Sequence, residues 1–364
     1  MRKVLLRFVF QDYWLFESVG NELLVGVGWL ILIWTTVAII ASIVNWKLRH
    51  DMEQIKASAF FWLLLPVVVM AIPMAGLPLA KSGIPVFGYG FMMFIGFSTA
   101  TLLAASRVKT VGMNPDIIWD MMMWVLVPGL IGARLIYLMQ YGDRVVAGKE
   151  GIDRLIALFA LWDGGIVFYG CIIGGVPGLI YYCRRRNVDP LVICDVLASS
   201  LFVGEGFGRI GCFLYGCCYG AQCSRPWAVQ FPPDSLAFSK MVERGIIPED
   251  AMATIPLHPT QIYSSVAAFL LAGLLAWFFP RRPFDGAVLA LAWIMYPINR
   301  FVLESFRDDE PGRLGTSLTF SQLLSLGLLA TGILAMAWFH HRNVLTRHAG
   351  PATDPGSSIT RETH

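Results

Sequence analysis

From Gly204 to Gly220 the chain reads Gly-Glu-Gly-Phe-Gly-Arg-Ile-Gly-Cys-Phe-Leu-Tyr-Gly-Cys-Cys-Tyr-Gly, at the end of a long apolar stretch. An ionised side chain at membrane depth costs about 2.5–3.5 kcal/mol on insertion scales, so Arg209 marks a functional site that needs a polar or anionic neighbour. The small residues around it let a second helix or a ligand head group come close. A second constellation, Arg300, Glu304 and Arg307, is spaced i, i+4, i+7, which places all three on one helical face. Such a set is either a buried charge ladder that ties helices together or a device in which Glu304 orients Arg300 toward a bound anion while the pair stays nearly neutral.

Three more groups place polar chemistry among apolar neighbours. Arg134, in Gly132-Ala133-Arg134-Leu135-Ile136-Tyr137, stands near the end of a span, where an arginine either snorkels to the interface or meets a ligand. Trp162-Asp163-Gly164-Gly165 forms a glycine turn ahead of Tyr169. That phenol is positioned to hydrogen-bond a head group or a thiol, although tyrosine is also an ordinary interfacial anchor. Gly170, Gly174 and Gly178 recur every four residues, the spacing of tight helix packing, and read as structural. His258-Pro259-Thr260-Gln261-Ile262-Tyr263 opens a further span with several hydrogen-bonding groups, its histidine serving as a helix-entry residue or as a ligand.

The chain has seven cysteines, none before Cys171. An odd number starting so late is not a secreted disulfide framework. Cys212, Cys217, Cys218 and Cys223 follow the pattern C-x4-C-C-x4-C, which lacks the C-x2-C knuckle and histidine pair of zinc sites, so no metal is expected. On an oxidising face a disulfide within the group is the expectation, with the adjacent pair not bonded to each other.

These residues must be positioned by membrane helices. Of 364 residues, 56% are hydrophobic and only 15% charged, and mean hydropathy is +0.62; soluble domains carry about 25% charged residues. The net charge of +3 is too small for a nucleic-acid partner, and the basic residues fall in short clusters between apolar runs. A span needs about 20 apolar residues. On that criterion the fold class is all-α, a polytopic helical membrane protein with about nine spans, near 23–46, 59–79, 87–106, 117–139, 165–182, 191–210, 259–279, 286–305 and 318–339.

Lys47, Arg49, Lys56, Arg107, Lys109, Arg184, Arg185, Arg186, Arg281, Arg282, Arg342 and Arg347 then share one side, which is cytoplasmic by the positive-inside rule. The other side receives the N-terminus, the segment 143–154, the loop 211–257 and the turn at 307–313. The loop is long enough for a small ordered lid, which places the chemistry near the outer face. The N-terminus starts like a signal peptide, but Gln11 and Asp12 interrupt it and no small-residue cleavage site follows, so it reads as an uncleaved interfacial segment. Residues 1–86 form an N-terminal extension with two spans, 87–340 a membrane core, and 341–364 a polar tail too poor in apolar residues to fold alone.

Taken in order, six motifs resemble the bacterial prolipoprotein diacylglyceryl transferase family: Phe87-Gly88-Tyr89-Gly90, Gly132-Ala133-Arg134-Leu135, Asp163-Gly164-Gly165 with Phe168-Tyr169-Gly170, Gly208-Arg209-Ile210-Gly211, His258 through Tyr263, and Arg300 through Arg307. The resemblance runs from about 87 to 339. It implies a seven-span core. It also implies transfer of the sn-1,2-diacylglyceryl group of phosphatidylglycerol to the lipobox cysteine of a prolipoprotein signal peptide, forming a thioether and releasing glycerol-1-phosphate. It further implies the bacterial inner membrane, a site facing the periplasm, membrane lipids as surroundings, and no cofactor.

Carried over position by position, Arg209 and Arg300 match the family's two essential arginines, and Tyr89, Arg134, Glu304 and Gly220 match motif positions. Fixed guanidinium donors suit a leaving phosphate on which charge builds. The catalytic set expected here is Arg209, Arg300, Tyr169 and Glu304. Tyr89, Arg134, Asp163, Gly164, Gly165, Gly220, His258, Gln261, Tyr263 and Arg307 are expected to bind substrate. Some members carry a histidine where this chain has Tyr169, and an asparagine and a carboxylate where it has Cys212 and Cys217. The attacking thiol, with an unperturbed pKa of about 8.5, must lose its proton to Tyr169, to His258 or to water. Two other classes compete: a thiol–disulfide oxidoreductase built on Cys212–Cys223 with a quinone partner, and a transporter with the Arg–Glu ladder on its path. No internal repeat with paired broken helices supports the transporter. A diverged transferase with another acceptor is a further reading.

Overall fold

The computed structural model describes residues 4–10, 14–19, 22–49, 83–160, 164–307 and 318–348. The expected span at 59–79, Asp163, most of the 307–313 turn and the end of the tail lie outside the described residues. The chain divides into two compact units, one of residues 1–95 with 207–262, the other of 96–206 with 263–364.

In the first unit the N-terminus forms strands, which the apolar count did not anticipate. β1 (Val4–Val9), β2 (Phe16–Val19), β3 (Glu22–Gly26) and β4 (Ile84–Phe87) make one sheet in the order β2-β3-β1-β4. β1 runs parallel to β3, while the β1–β4 and β2–β3 pairs are antiparallel. Val, Leu, Phe and Ile dominate these segments and suit a half-buried pleated surface. β3 leads directly into α1 (Val27–Arg49). The expected span at 23–46 therefore starts as a strand and continues as α1, whose stretch Val27–Val37 is an apolar helix.

The loop after Gly211 is ordered. α7 (Leu236–Glu243) starts at Ser235, whose Oγ accepts the Phe238 amide at 3.2 Å. Phe231, Ala237, Phe238, Met241, Ile247 and Leu257 form a core beneath it.

The second unit contains all of α3 (Asp116–Val146), α4 (Gly151–Phe159), α5 (Phe168–Arg186), α9 (Ala287–Glu304) and α10 (Phe320–His348). Three helices contribute to both units: α2 (Gly88–Val108), α6 (Pro190–Tyr215) and α8 (Thr260–Phe278). Among the described residues six helices are long and apolar enough to cross a membrane: Gly88–Val111, Asp116–Val146, Pro190–Tyr215, Thr260–Arg281, Ala287–Glu304 and Phe320–Val344. The protein is thus a multi-pass helical membrane protein, with six such helices among the described residues, where about nine spans were expected over the whole chain. α5 has the length but is glycine-rich and ends on Arg184-Arg185-Arg186.

In lipid, helix association depends on close packing more than on water exclusion. The glycine stripe serves this end. A Cβ on Gly170 would overlap the Gly132 carbonyl of α3, one on Gly174 the Pro128 carbonyl, and one on Gly178 the Trp124 carbonyl. α3 and α5 therefore touch backbone to backbone. Asp195, fully buried on α6, accepts the amides of Gly286 and Leu289 at 2.8 Å each, satisfying two of the unpaired donors at the start of α9.

Candidate active site

Arg134 is buried within the second unit, 8% exposed. It does not snorkel. Its Nε donates to the Leu158 carbonyl at 2.9 Å and its Nη2 to the Ala157 carbonyl at 2.6 Å. Its Nη1 donates to the carbonyls of Gly164 and Gly165 at 2.8 and 2.9 Å. The guanidinium also lies over the Tyr137 ring, 5.4 Å from its centroid. The end of α4 leaves carbonyls without helical partners, and a planar cation with five donors suits several of them at once. Gly164 and Gly165 both have positive φ, 81° and 76°, and a Cβ on Gly165 would meet Arg134 Nη1 at 2.8 Å. Arg134, expected from the sequence to bind substrate, holds this turn with four of its five donors. That turn leads into the first turn of α5 and delivers Tyr169, which is 58% exposed.

At the far end of α9, Arg300 Nη2 stands 2.9 Å from Glu304 Oε2 and donates to Ser321 Oγ at 3.4 Å. Glu304 is 2% exposed, so its charge requires this partner. Among the described residues the Nε and Nη1 of Arg300 have no partner, and a quarter of the side chain is exposed. The i, i+4 expectation holds for this pair, but Arg307 leaves the shared face. α9 ends at Glu304, and the amides of Ser305, Phe306 and Arg307 bond back three residues to Val302, Leu303 and Glu304. That tighter turn removes the helical phase on which i+7 depends. Nearby, Tyr263 packs edge-on against Phe306 with centroids 5.7 Å apart.

In the first unit Arg209 lies on α6 within Coulombic reach of Tyr89 and Cys212. The glycines about it allow close approach, since a Cβ on Gly211 would sit 3.2 Å from the Tyr89 ring and 3.4 Å from its Cα. α6 ends at Gly216, φ 79°, where the amides of Gly216 and Cys217 bond the Cys212 carbonyl at 2.9 and 3.1 Å. Cys218 follows with φ 59°. These turns fold the chain back on the helix end and bring the sulfurs of Cys212, Cys217 and Cys218 within 4.8 Å of one another. The spacing argument against a ligand cluster therefore misleads, because it counts residues and not the reversal at Gly216. None of the seven cysteines is joined in a disulfide, contrary to the expectation of one within this group. Cys223 lies outside the cluster, buried, accepting the Arg225 amide at 3.4 Å. The Cys212 and Cys218 thiols, hydrogen-bonded to Cys217, together with burial push the Cys217 thiol well above its ordinary value.

The remaining motif residues brace this turn. Gln261, 1% exposed, donates from Nε2 to the Cys217 carbonyl at 2.7 Å, and Thr260 donates from Oγ1 to the Cys218 carbonyl at 2.8 Å. The Gly220 amide donates to the His258 carbonyl at 3.0 Å, and the His258 amide to the Ala221 carbonyl at 2.9 Å.

A family model described as prolipoprotein diacylglyceryl transferase matches residues 78–338. A phosphatidylglycerol–prolipoprotein diacylglyceryl transferase of Clostridium tetani is 35% identical over 251 residues, covering 69% of this chain and 92% of the relative. One from Clostridium perfringens, named as the second such enzyme, is 33% identical over 252 residues, 69% of this chain and 90% of the relative. One from Rhodopirellula baltica is 28% identical, covering 85% of each chain.

Proposed function

The chain belongs to the prolipoprotein diacylglyceryl transferase family, and on that premise we propose that Arg209 and Arg300 stabilise the phosphate released as phosphatidylglycerol gives up its diacylglyceryl group. The protein is an enzyme that transfers this group to a prolipoprotein. The oxidoreductase reading draws no support from the relatives, all three of which are named as transferases.

The thiol of the lipobox cysteine attacks the glyceryl carbon that bears the phosphodiester. A C–S bond forms, the C–O bond to phosphorus breaks, and glycerol-1-phosphate leaves with the added negative charge on its phosphate. The thiol proton passes to a base or to water. Guanidinium groups fixed before the reaction stabilise that charge without reorganising. The observation that carries the assignment is Arg300: held on one nitrogen by buried Glu304 and by Ser321, it keeps Nε and Nη1 for an anion. Tyr169, delivered by the turn that Arg134 holds, hydrogen-bonds the attacking thiol. Tyr89, Gly220, His258, Gln261 and Tyr263 shape the head-group and peptide subsites, and Arg307 adds positive charge beyond the end of α9. The site faces the periplasmic side of the bacterial inner membrane, where signal peptides of exported prolipoproteins present the lipobox cysteine.

The test is a mass assay on the full-length protein in phosphatidylglycerol-containing membranes with a synthetic lipobox peptide. The peptide gains a diacylglyceryl mass on its cysteine, and Arg209→Gln lowers the rate about 10²–10³-fold, the cost of losing one anion-stabilising donor group. A folded wild-type protein that leaves the peptide unmodified while binding phosphatidylglycerol overturns the acceptor assignment.

A further inference from the structure

We propose that Cys212, Cys217 and Cys218 form a three-thiolate site for a soft, thiophilic metal ion, Zn2+ or Cu+. The three Sγ atoms lie within 4.8 Å of one another. A zinc–sulfur bond of about 2.3 Å with tetrahedral angles sets sulfur–sulfur separations of about 3.8 Å. The thiols therefore stand within roughly 1 Å of ligating distance before any ion is bound.

The backbone of each candidate ligand is already fixed. The Cys212 carbonyl accepts two amides at the helix end, the Cys217 carbonyl accepts the Gln261 side chain, and the Cys218 carbonyl accepts the Thr260 hydroxyl. A donor set whose main chain is braced by neighbouring groups needs little ordering when the ion arrives. Cys218 keeps a side chain at φ 59°, where glycine is the default residue, and thereby keeps its sulfur in the cluster.

Thiolate donors select soft ions over Mg2+ or Ca2+. Binding converts three thiols to thiolates and releases up to three protons to solvent. With Zn2+ the set carries one net negative charge and a fourth position open to water or another donor. With Cu+ it is trigonal and complete. Arg209, one helical turn before Cys212 and within Coulombic reach of it, offsets the residual negative charge in either case. The inference does not depend on the transferase chemistry, and its readouts are independent of activity.

The experiment uses full-length protein in detergent micelles, reduced and stripped of metal, then loaded with Zn2+ or with Cu+ in separate arms. The expected result is one ion retained per chain after desalting, with Cys212, Cys217 and Cys218 protected from alkylation and Cys171 modified at an unchanged rate. Co2+ loading gives sulfur-to-metal charge-transfer absorption. Cys212→Ser, Cys217→Ser and Cys218→Ser each weaken binding at least about tenfold, and Cys171→Ser does not. If a serine variant does not fold, the alkylation pattern of the wild-type protein decides. The proposal is overturned by equal alkylation of the three cysteines with and without ion, or by a Cys212–Cys217 or Cys212–Cys218 disulfide in protein isolated from membranes under thiol-blocking conditions. Competition between the two ions assigns the four-coordinate or the trigonal form.

Discussion

Arg134 and Arg300 belong to the same compact unit and both stand on membrane helices, yet their guanidinium groups are used in opposite ways. Arg134 donates to four backbone carbonyls, those of Ala157, Leu158, Gly164 and Gly165. Arg300 is held through a single nitrogen by one carboxylate and one hydroxyl. A cation with four of its five N–H donors given to carbonyls has one left for a lipid phosphate, whereas one fixed on a single side by a buried carboxylate is oriented and still has Nε and both hydrogens of Nη1 to offer. The acceptors of the two arginines thus separate two proposals, a scaffold role for Arg134 and anion binding for Arg300.

The largest expected effect comes from removing the arginine that holds the four carbonyls. Arg134→Ala leaves four carbonyls to find new partners, and each buried polar group left unpaired costs about 1–3 kcal/mol. The loss should exceed about 3 kcal/mol and appear as a large drop in thermal midpoint, with activity lost alongside. Arg134→Lys should rescue little, because a point charge on a flexible stem does not reproduce the planar fork. An Arg134→Ala protein that melts like wild type and loses activity alone would dissolve the contrast with Arg300.

Arg300→Lys should behave in the reverse manner. It retains a positive charge near Glu304, so the thermal midpoint should change little. Transfer of the diacylglyceryl group should fall about 10²–10³-fold, equivalent to about 2.7–4 kcal/mol of barrier. Rate measurements beside a melting curve separate the two arginines. If Arg300→Lys unfolds the protein while leaving the turnover of the surviving fraction intact, Arg300 is scaffold as well.

A smaller effect tests the frame around Arg134. Gly174→Ala in α5 pushes a methyl group into the Pro128 carbonyl and should destabilise by about 1–3 kcal/mol. Gly273→Ala in α8, where a Cβ meets nothing within 4 Å, should be neutral or stabilise by up to about 1 kcal/mol. Melting the two variants side by side distinguishes close packing from helix propensity.

What could be read from residue order follows this division between local and distant contacts. The Arg300–Glu304 pair was legible because i, i+4 neighbours meet in any helix, and the glycine stripe was legible for the same reason. The acceptors of Arg134 lie 23 to 31 residues away in sequence, and no local pattern encodes them. Arg307 was placed on the wrong face because periodicity gives no sign that α9 stops at Glu304. The cysteine cluster was hidden because Gly216 reverses the chain inside a spacing that resembles no known ligand motif. At the N-terminus, short runs of Val, Leu and Phe fit a strand as well as an interfacial segment, and pairing with β3 and β4 decides between them.

The smallest effect belongs to a second arginine–carboxylate pair, which sharpens the comparison by its exposure. Arg7 Nε meets Glu22 Oε2 at 2.8 Å between β1 and β3, with 28% and 32% of the two side chains exposed, whereas the Glu304 side chain in the pair with Arg300 is 1% exposed. Solvent and salt screen the outer pair, so Glu22→Gln should cost only about 0.2–1 kcal/mol. The hydrogen bond from Arg7 lowers the Glu22 carboxyl below its ordinary value of 4.5. The contribution is therefore complete above that value and is lost as pH falls through the lowered one. Melting wild-type and Glu22→Gln proteins at pH 7 and again near pH 3 should show a small difference that shrinks on acidification and with added salt. A difference that persists at low pH would mean that Glu22 supports the sheet through its shape and not through its charge.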